Sequence, residues 1–210
     1  EKMVYSDLGM ILLYDIINKV SNSNLDKLSK RYFYKPLQMS STFFNPNDKE
    51  IIVPTENDNY FRNRLLKGEV HDENAYILNG ISGHAGLFSN AYDIGKFSKL
   101  FLNDGVFLGR RYLKKNLVKD FTSKKNNPVK SDRALGWDTP SLNGSSAGDY
   151  FSKGSFGHLG FTGTSLWIDP KEEIIIVFLT NRVYPSREKK GIYKVRRKLH
   201  NSIMISIKEF

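Results

Sequence analysis

Apolar residues Leu8, Ile11, Leu12, Ile16 and Val20 recur at helical spacing and predict a helix from about residue 7 to 20. Ser6 or Asp7 is available to cap its start, and Ser21-Asn22-Ser23-Asn24 ends it. A second helix is predicted from Leu25 to about Tyr34, stopping before Pro36. No period persists from residue 40 to 70. The Asn45-Pro46-Asn47-Asp48 turn and the polar run Thr55-Glu56-Asn57-Asp58-Asn59 predict a long surface excursion there, a kind of connection that is usually functional or mobile. The helical period returns after Asn90, with Asp93 three residues later as a capping-box-like start and Ile94, Phe97, Leu100 and Phe101 as the apolar stripe. Asn103-Asp104-Gly105 closes that helix, and a shorter one is predicted over 111–121.

The pattern then changes. Polar loops at 123–133 and 141–154 flank a short predicted strand, Leu135 to Asp138. Three strands follow, around 156–161, 164–169 and 173–180, and a last helix over about 191–207 with Val195, Leu199 and Ile203 as its buried face. Helices first, antiparallel strands later and one closing helix make an α+β domain without a βαβ alternation. Residues 1–210 read as one domain, with 1–125 the mainly helical part and 133–210 the sheet strands plus the C-terminal helix. No apolar run approaches the roughly 18 residues of a membrane span. The longest is Ile174 to Leu179.

Charge and cysteine content narrow the chemistry. The absence of cysteine excludes disulfides, thiolate metal sites and a cysteine nucleophile. The net charge of +10 owes much to Arg187, Lys189, Lys190, Lys194, Arg196, Arg197 and Lys198. With no nucleic-acid motif beside it, this cluster reads as the solvated face of the terminal helix, and no nucleic-acid partner is expected. The chain opens at Glu1 rather than at Met, so an N-terminal piece and its targeting information are expected to precede it.

Candidate chemistry concentrates in Ser155-Phe156-Gly157-His158-Leu159-Gly160-Phe161-Thr162-Gly163-Thr164. Three glycines bare the backbone for close approach by a ligand, and a titratable histidine sits among them. Two literal motif matches fail on context. Ser186-Arg187-Glu188-Lys189 has the form S-x-x-K but lies in a polar, basic stretch, whereas that motif opens an apolar helix. Gly144-Ser145-Ser146-Ala147-Gly148 has the form G-x-S-x-G but lacks the strand before it and the helix after it that a nucleophile elbow needs. His71, Asp72 and His84 offer metal-binding residue types without a metal-ligand spacing, so no metal is expected. Asp72 reads as a cap and His84 as packed among glycines.

Four blocks in one order carry a resemblance. Tyr5-Ser6-Asp7-Leu8-Gly9 through Lys35-Pro36-Leu37-Gln38-Met39, Ser82-Gly83-His84-Ala85-Gly86-Leu87-Phe88-Ser89, His158 to Pro170, and Thr180-Asn181-Arg182 together resemble the class C β-lactamase and penicillin-binding serine hydrolase family. The resemblance implies a β-lactamase/transpeptidase-like fold, an antiparallel sheet packed by helices with a helical subdomain, whose N-terminal part lies outside this chain. It implies acyl-enzyme chemistry on an ester or amide, such as a β-lactam, a D-amino peptide or a carboxylester, with no cofactor. The nucleophile and its lysine, in S-x-x-K, would lie upstream of Tyr5. By the same resemblance Tyr5 would manage a proton and His158 would stabilise developing charge, the two facing one cleft. The Phe161 N–H would serve as an oxyanion donor, with Asp7 and Gly160 at the substrate. Asp7 replaces the family's usual asparagine and so becomes an acceptor-only carboxylate when ionised, suited to orienting a cationic neighbour. Leu159 replaces a threonine whose hydroxyl helps hold a substrate carboxylate. Val70-His71-Asp72 and Asn181-Arg182-Val183-Tyr184-Pro185 are similar to a subgroup with some members fused to a family 3 glycoside hydrolase. A peptidoglycan-derived substrate and a periplasmic or cell-envelope location follow from the resemblance. The alternative is a non-catalytic module for cell-wall binding or for packing against such a fused glycosidase.

Overall fold

The computed structural model describes residues 3–125, 131–142 and 144–208. Parts of the two predicted polar loops, at 126–130 and 143, therefore lie outside the described residues. Contacts divide the chain into two compact units, Val4–Phe97 with Asn181–Glu188, and Ser98–Thr180 with Lys189–Phe210 and Glu1–Met3.

The first unit opens with α1 (Asp7–Ser21), capped by Ser6, whose hydroxyl accepts from the Leu8 N–H. Asn22, in the left-handed conformation, ends it. No residue of α1 is buried, and Leu8 and Val20 are 72% and 83% exposed. The predicted second helix is split: α2 (Leu25–Ser29) runs into a π-helical turn, Lys30–Tyr34. Strand β1 (Phe43–Phe44) pairs with β4 (Leu87–Phe88), and β2 (Asn57–Asp58) pairs with β3 (Arg64–Leu65), both antiparallel. The helix α3 (Glu73–Ile77) lies between them in sequence, capped by Asp72 as expected. Leu37, Leu66, Ala75 and Val183 are fully buried in this unit.

The segment at 40–70 departs from its reading as surface excursion, because it buries two carboxylates. Asp58 accepts from the backbone N–H groups of Tyr60, Phe61 and Arg62 and from the Arg62 guanidinium at 3.0 Å. Glu56 takes the Arg187 guanidinium at 2.7 Å and His71 Nε2 at 2.7 Å. A loop can turn inward only where its buried polar groups find such partners.

Helix α4 (Ala91–Leu102) starts as predicted, with Asn90 Oδ1 accepting from the Asp93 N–H at 2.8 Å. In the second unit β5 (Val106–Phe107) and β6 (Arg110–Arg111) form a small hairpin before α5 (Lys115–Thr122). The predicted strand Leu135 to Asp138 is not one. Asp138 makes only isolated bridges, to Arg133 and Gly157, and Gly136 sits at a φ of 82° that ends regular pairing.

The main sheet is the antiparallel series β7 (Phe156–Leu159), β8 (Ser165–Asp169) and β9 (Ile174–Phe178), followed by α6 (Ile192–Lys208). His158 pairs with Leu166, and Trp167 with Gly157 and Ile176. Trp167, Ile176, Phe151, Ala147 and Met204 form the core between sheet and helix. Trp167 is buried, and Trp137 is half-buried edge-on to Phe101 and Phe156 at 5.2 and 5.3 Å.

The buried face of α6 is the predicted one only in part: Leu199 and Ile203 are half-buried, Ile203 against the core, but the centre of the face is displaced. Ile192, Arg196, His200 and Met204 are buried, while Val195 is 49% exposed. The face is shifted because two polar residues go inside, each meeting backbone carbonyls there. Arg196 donates to the Gly160 and Thr164 carbonyls at 2.9 and 2.6 Å, and His200 Nδ1 lies 2.8 Å from the Ser146 carbonyl. Burial pushes the His200 imidazole below its ordinary pKa. Arg196 therefore leaves the solvated basic face on which its charge had placed it.

Candidate active site

In the first unit the Tyr5-Ser6-Asp7 motif forms the entrance to α1. Ser6 supplies the cap, Asp7 is the first helical residue, where its negative charge suits the positive end of the helix, and Tyr5 is 59% exposed just outside. Asp7 lies near a histidine and a second carboxylate. A carboxylate oxygen of Asp7, one of Asp72 and a ring nitrogen of His84 lie within 4.8 Å of one another.

Asp72 and His84 are themselves bonded, Oδ1 to Nε2 at 2.7 Å, and His84 Nδ1 meets Ser82 Oγ at 2.9 Å. Burial pushes the Asp72 carboxyl up, but the Ala75 N–H and His84 outweigh it and hold it below the usual carboxylate range. Gly83, between Ser82 and His84, lies against α1 so closely that a Cβ would collide with the Met10 carbonyl. Sequence reasoning placed His84 among glycines but missed its pairing with Asp72, 12 residues away, and the approach of Asp7. The third member of the rejected metal set, His71, turns to Glu56 instead.

In the second unit β7 carries His158, and Gly160 and Phe161 follow in the turn after it. His158 is half-buried, with Nδ1 2.9 Å from the Leu159 carbonyl. The turn after it is held at several points. The Gly160 N–H donates to the Thr164 carbonyl at 2.8 Å, the Gly163 N–H to the Gly160 carbonyl at 3.1 Å, and Thr180 Oγ1 to the Gly163 carbonyl at 2.8 Å. A Cβ at Gly160 would strike the Thr164 hydroxyl, which would have to turn away. Beneath the turn the Arg196 guanidinium grips the Gly160 and Thr164 carbonyls, and Phe161 is left 59% exposed at the tip. A backbone fixed on both sides can aim an N–H without reorganising, which an oxyanion donor must do. Nothing in the one-dimensional pattern marked Arg196, because it sat in a run of basic residues.

Both rejected motif matches are turns. Ser186 to Lys189 contains no helix, and Arg187 within it is committed to Glu56 and Glu73 at 2.7 and 2.8 Å. Ser145 is buried, its hydroxyl accepting from the Ala147 N–H at 3.1 Å.

A Beta-lactamase family model matches residues 1–200, and the chain belongs to that family. It is 35% identical over 206 residues to N-acetylmuramyl-L-alanine amidase of Bacillus subtilis (strain 168), covering 86% of this chain and 44% of that protein. It is 34% identical over 203 residues to the "Putative D-alanyl-D-alanine carboxypeptidase" of Escherichia coli (strain K12), covering 86% of this chain and 45% of that protein. The chain thus spans less than half the length of these relatives. Among solved structures, a beta-lactamase (Mb2281c) from Mycobacterium bovis superposes with a TM-score of 0.69 at 16% identity, covering 97% of this chain and 64% of that one. Simvastatin synthase (LovD) from Aspergillus terreus gives 0.65 at 15%, covering 92% of this chain and 53% of that one. The fold is β-lactamase/transpeptidase-like, helices and antiparallel sheet together, as the sequence resemblance implied.

Proposed function

We propose that the protein carrying this chain is a serine hydrolase that cleaves an amide of a peptidoglycan-derived muropeptide through an acyl-enzyme. The observation that carries this reading is the presence, in a Beta-lactamase family chain, of Tyr5-Ser6-Asp7 at the start of α1 and of a rigidly held turn following His158. The printed names of the two curated relatives, an amidase and a carboxypeptidase, favour an amide in cell-wall material over a β-lactam or a carboxylester.

In this proposal the nucleophile is the serine of an S-x-x-K motif N-terminal to Tyr5. Its oxygen attacks the amide carbonyl while its proton passes through the lysine and the Tyr5 phenol to the departing nitrogen, and the C–N bond breaks. The Phe161 N–H receives the oxyanion, His158 stabilises the developing charge, and Asp7 and Gly160 border the substrate. Water then hydrolyses the ester and regenerates the serine. The reaction requires no cofactor. The site would work in the periplasm or cell envelope, and a fused family 3 glycoside hydrolase would be its partner in the same polypeptide.

Hydrolysis of purified muropeptides by the natural full-length protein, followed by chromatography, tests the proposal. The wild type should release the free peptide or D-amino acid. His158→Ala should slow turnover roughly 10²–10³-fold, the loss typical of one preorganised charge-stabilising group. A wild-type protein that binds muropeptides and leaves them intact supports the non-catalytic module instead.

A further inference from the structure

We propose that His84 is a positioning residue for the reaction: clamped by Ser82 and Asp72, it holds Asp7 and through it the turn that presents Tyr5. This rests on the hydrolase reading above and adds a residue outside the motifs that reading uses.

Three features of the first unit support it. The His84 ring is fixed at both nitrogens, by Ser82 Oγ at 2.9 Å and Asp72 Oδ1 at 2.7 Å, and its side chain is only 4% exposed. Asp72 is itself anchored, since the same oxygen caps α3 by accepting from the Ala75 N–H at 2.8 Å. The segment bearing His84 is docked on α1, because Gly83 lies against the Met10 carbonyl with no room for a side chain.

Asp7 stands at the first position of that helix, with its carboxylate within 4.8 Å of the His84 nitrogen and the Asp72 oxygen. Two carboxylates at that separation repel each other, and the His84 ring bonded to Asp72 and lying beside Asp7 offsets part of the repulsion. An asparagine at position 7 would feel no such repulsion. The carboxylate therefore makes the start of α1, and Tyr5 two residues before it, dependent on the histidine. A shift there of about 1 Å is enough to cost on the order of 10²-fold in turnover.

The test uses the natural full-length protein with Asp7→Asn, His84→Ala, His84→Gln and Ser82→Ala, each read by muropeptide or activated-ester kinetics and by urea denaturation. His84→Ala should lower kcat by roughly 10²-fold with KM within about twofold of wild type. His84→Gln, which restores a donor at the same reach, should recover most of that loss. In a double-mutant cycle, Asp7→Asn and His84→Ala should be non-additive in stability, as expected for residues that share a contact. Ser82→Ala, which loosens the clamp without removing the ring, should lower kcat in the same direction if His84→Ala fails to fold. Full kcat in His84→Ala and Ser82→Ala alike, or strictly additive stabilities, would overturn the inference. An inert wild type with coupled Asp7 and His84 would overturn the hydrolase reading and leave the clamp standing.

Discussion

At the scale of single residues, the informative positions are those whose chemistry is decided by a neighbour distant in sequence. Gly83 is one. The glycine-rich segment was visible in the sequence, but the reason for glycine at this position, the Met10 carbonyl of α1, was not. Gly83→Ala should destabilise the protein by about 1–3 kcal/mol, the usual cost of forcing extra volume into a packed contact, as read by urea denaturation. Wild-type stability in that variant would mean the segment gives way freely. Asp7 is a second case. Its departure from the family asparagine was legible, but spacing alone did not bring His84 and Asp72 within 4.8 Å of it.

The carboxylates of the 40–70 segment set a further expectation at this scale. Burial pushes Glu56 up, but Arg187 and His71 lower it by more, and backbone N–H groups with Arg62 hold Asp58 far below the carboxylate range against the same desolvation. A folded-state pKa below the unfolded one contributes stability that is complete above the unfolded value and lost as pH falls through the folded one. Stability should therefore decline from about pH 4 downward, where unfolded aspartate and glutamate begin to protonate. Glu56→Gln should flatten part of that decline in a series of denaturation curves. An unchanged acid limb would show that the Glu56 ion pairs contribute nothing to it.

At the scale of elements, helices with a clean apolar period and the three sheet strands were legible, because burial there follows the side-chain period. What failed did so for physical reasons. The strand at 135–138 has residues of the right type but no ladder, and the π-helical turn at Lys30–Tyr34 has no sequence signal we recognised. Helix α6 buries Arg196 and His200 because carbonyls of the second unit accept their hydrogen bonds, which a hydrophobic pattern cannot foresee. The consequence is testable at the element that depends on it. Arg196→Ala leaves the Gly160 and Thr164 carbonyls without their charged donor and should cost about 1.5–3 kcal/mol, the range for hydrogen bonds to charged groups. The same variant should slow muropeptide hydrolysis, since it frees the turn carrying the Phe161 N–H. Unaltered stability and turnover would show that the turn holds its shape without the guanidinium.

At the scale of the whole molecule, four short blocks in order were enough to point to the Beta-lactamase family, and the match over residues 1–200 bears that out. The exposed apolar face of α1 was not legible, because a helical stripe does not say what covers it. No helix among the described residues is long and apolar enough to cross a membrane. The central claim concerns a nucleophile that the 210-residue chain does not display in a suitable setting, and covalent labelling tests it most directly. Incubating the natural full-length protein with a fluorophosphonate and mapping the adduct by peptide mass spectrometry should place one modification on the serine of an S-x-x-K motif N-terminal to Tyr5. An adduct at Ser145 or Ser186, or no adduct on a folded protein, would contradict the account.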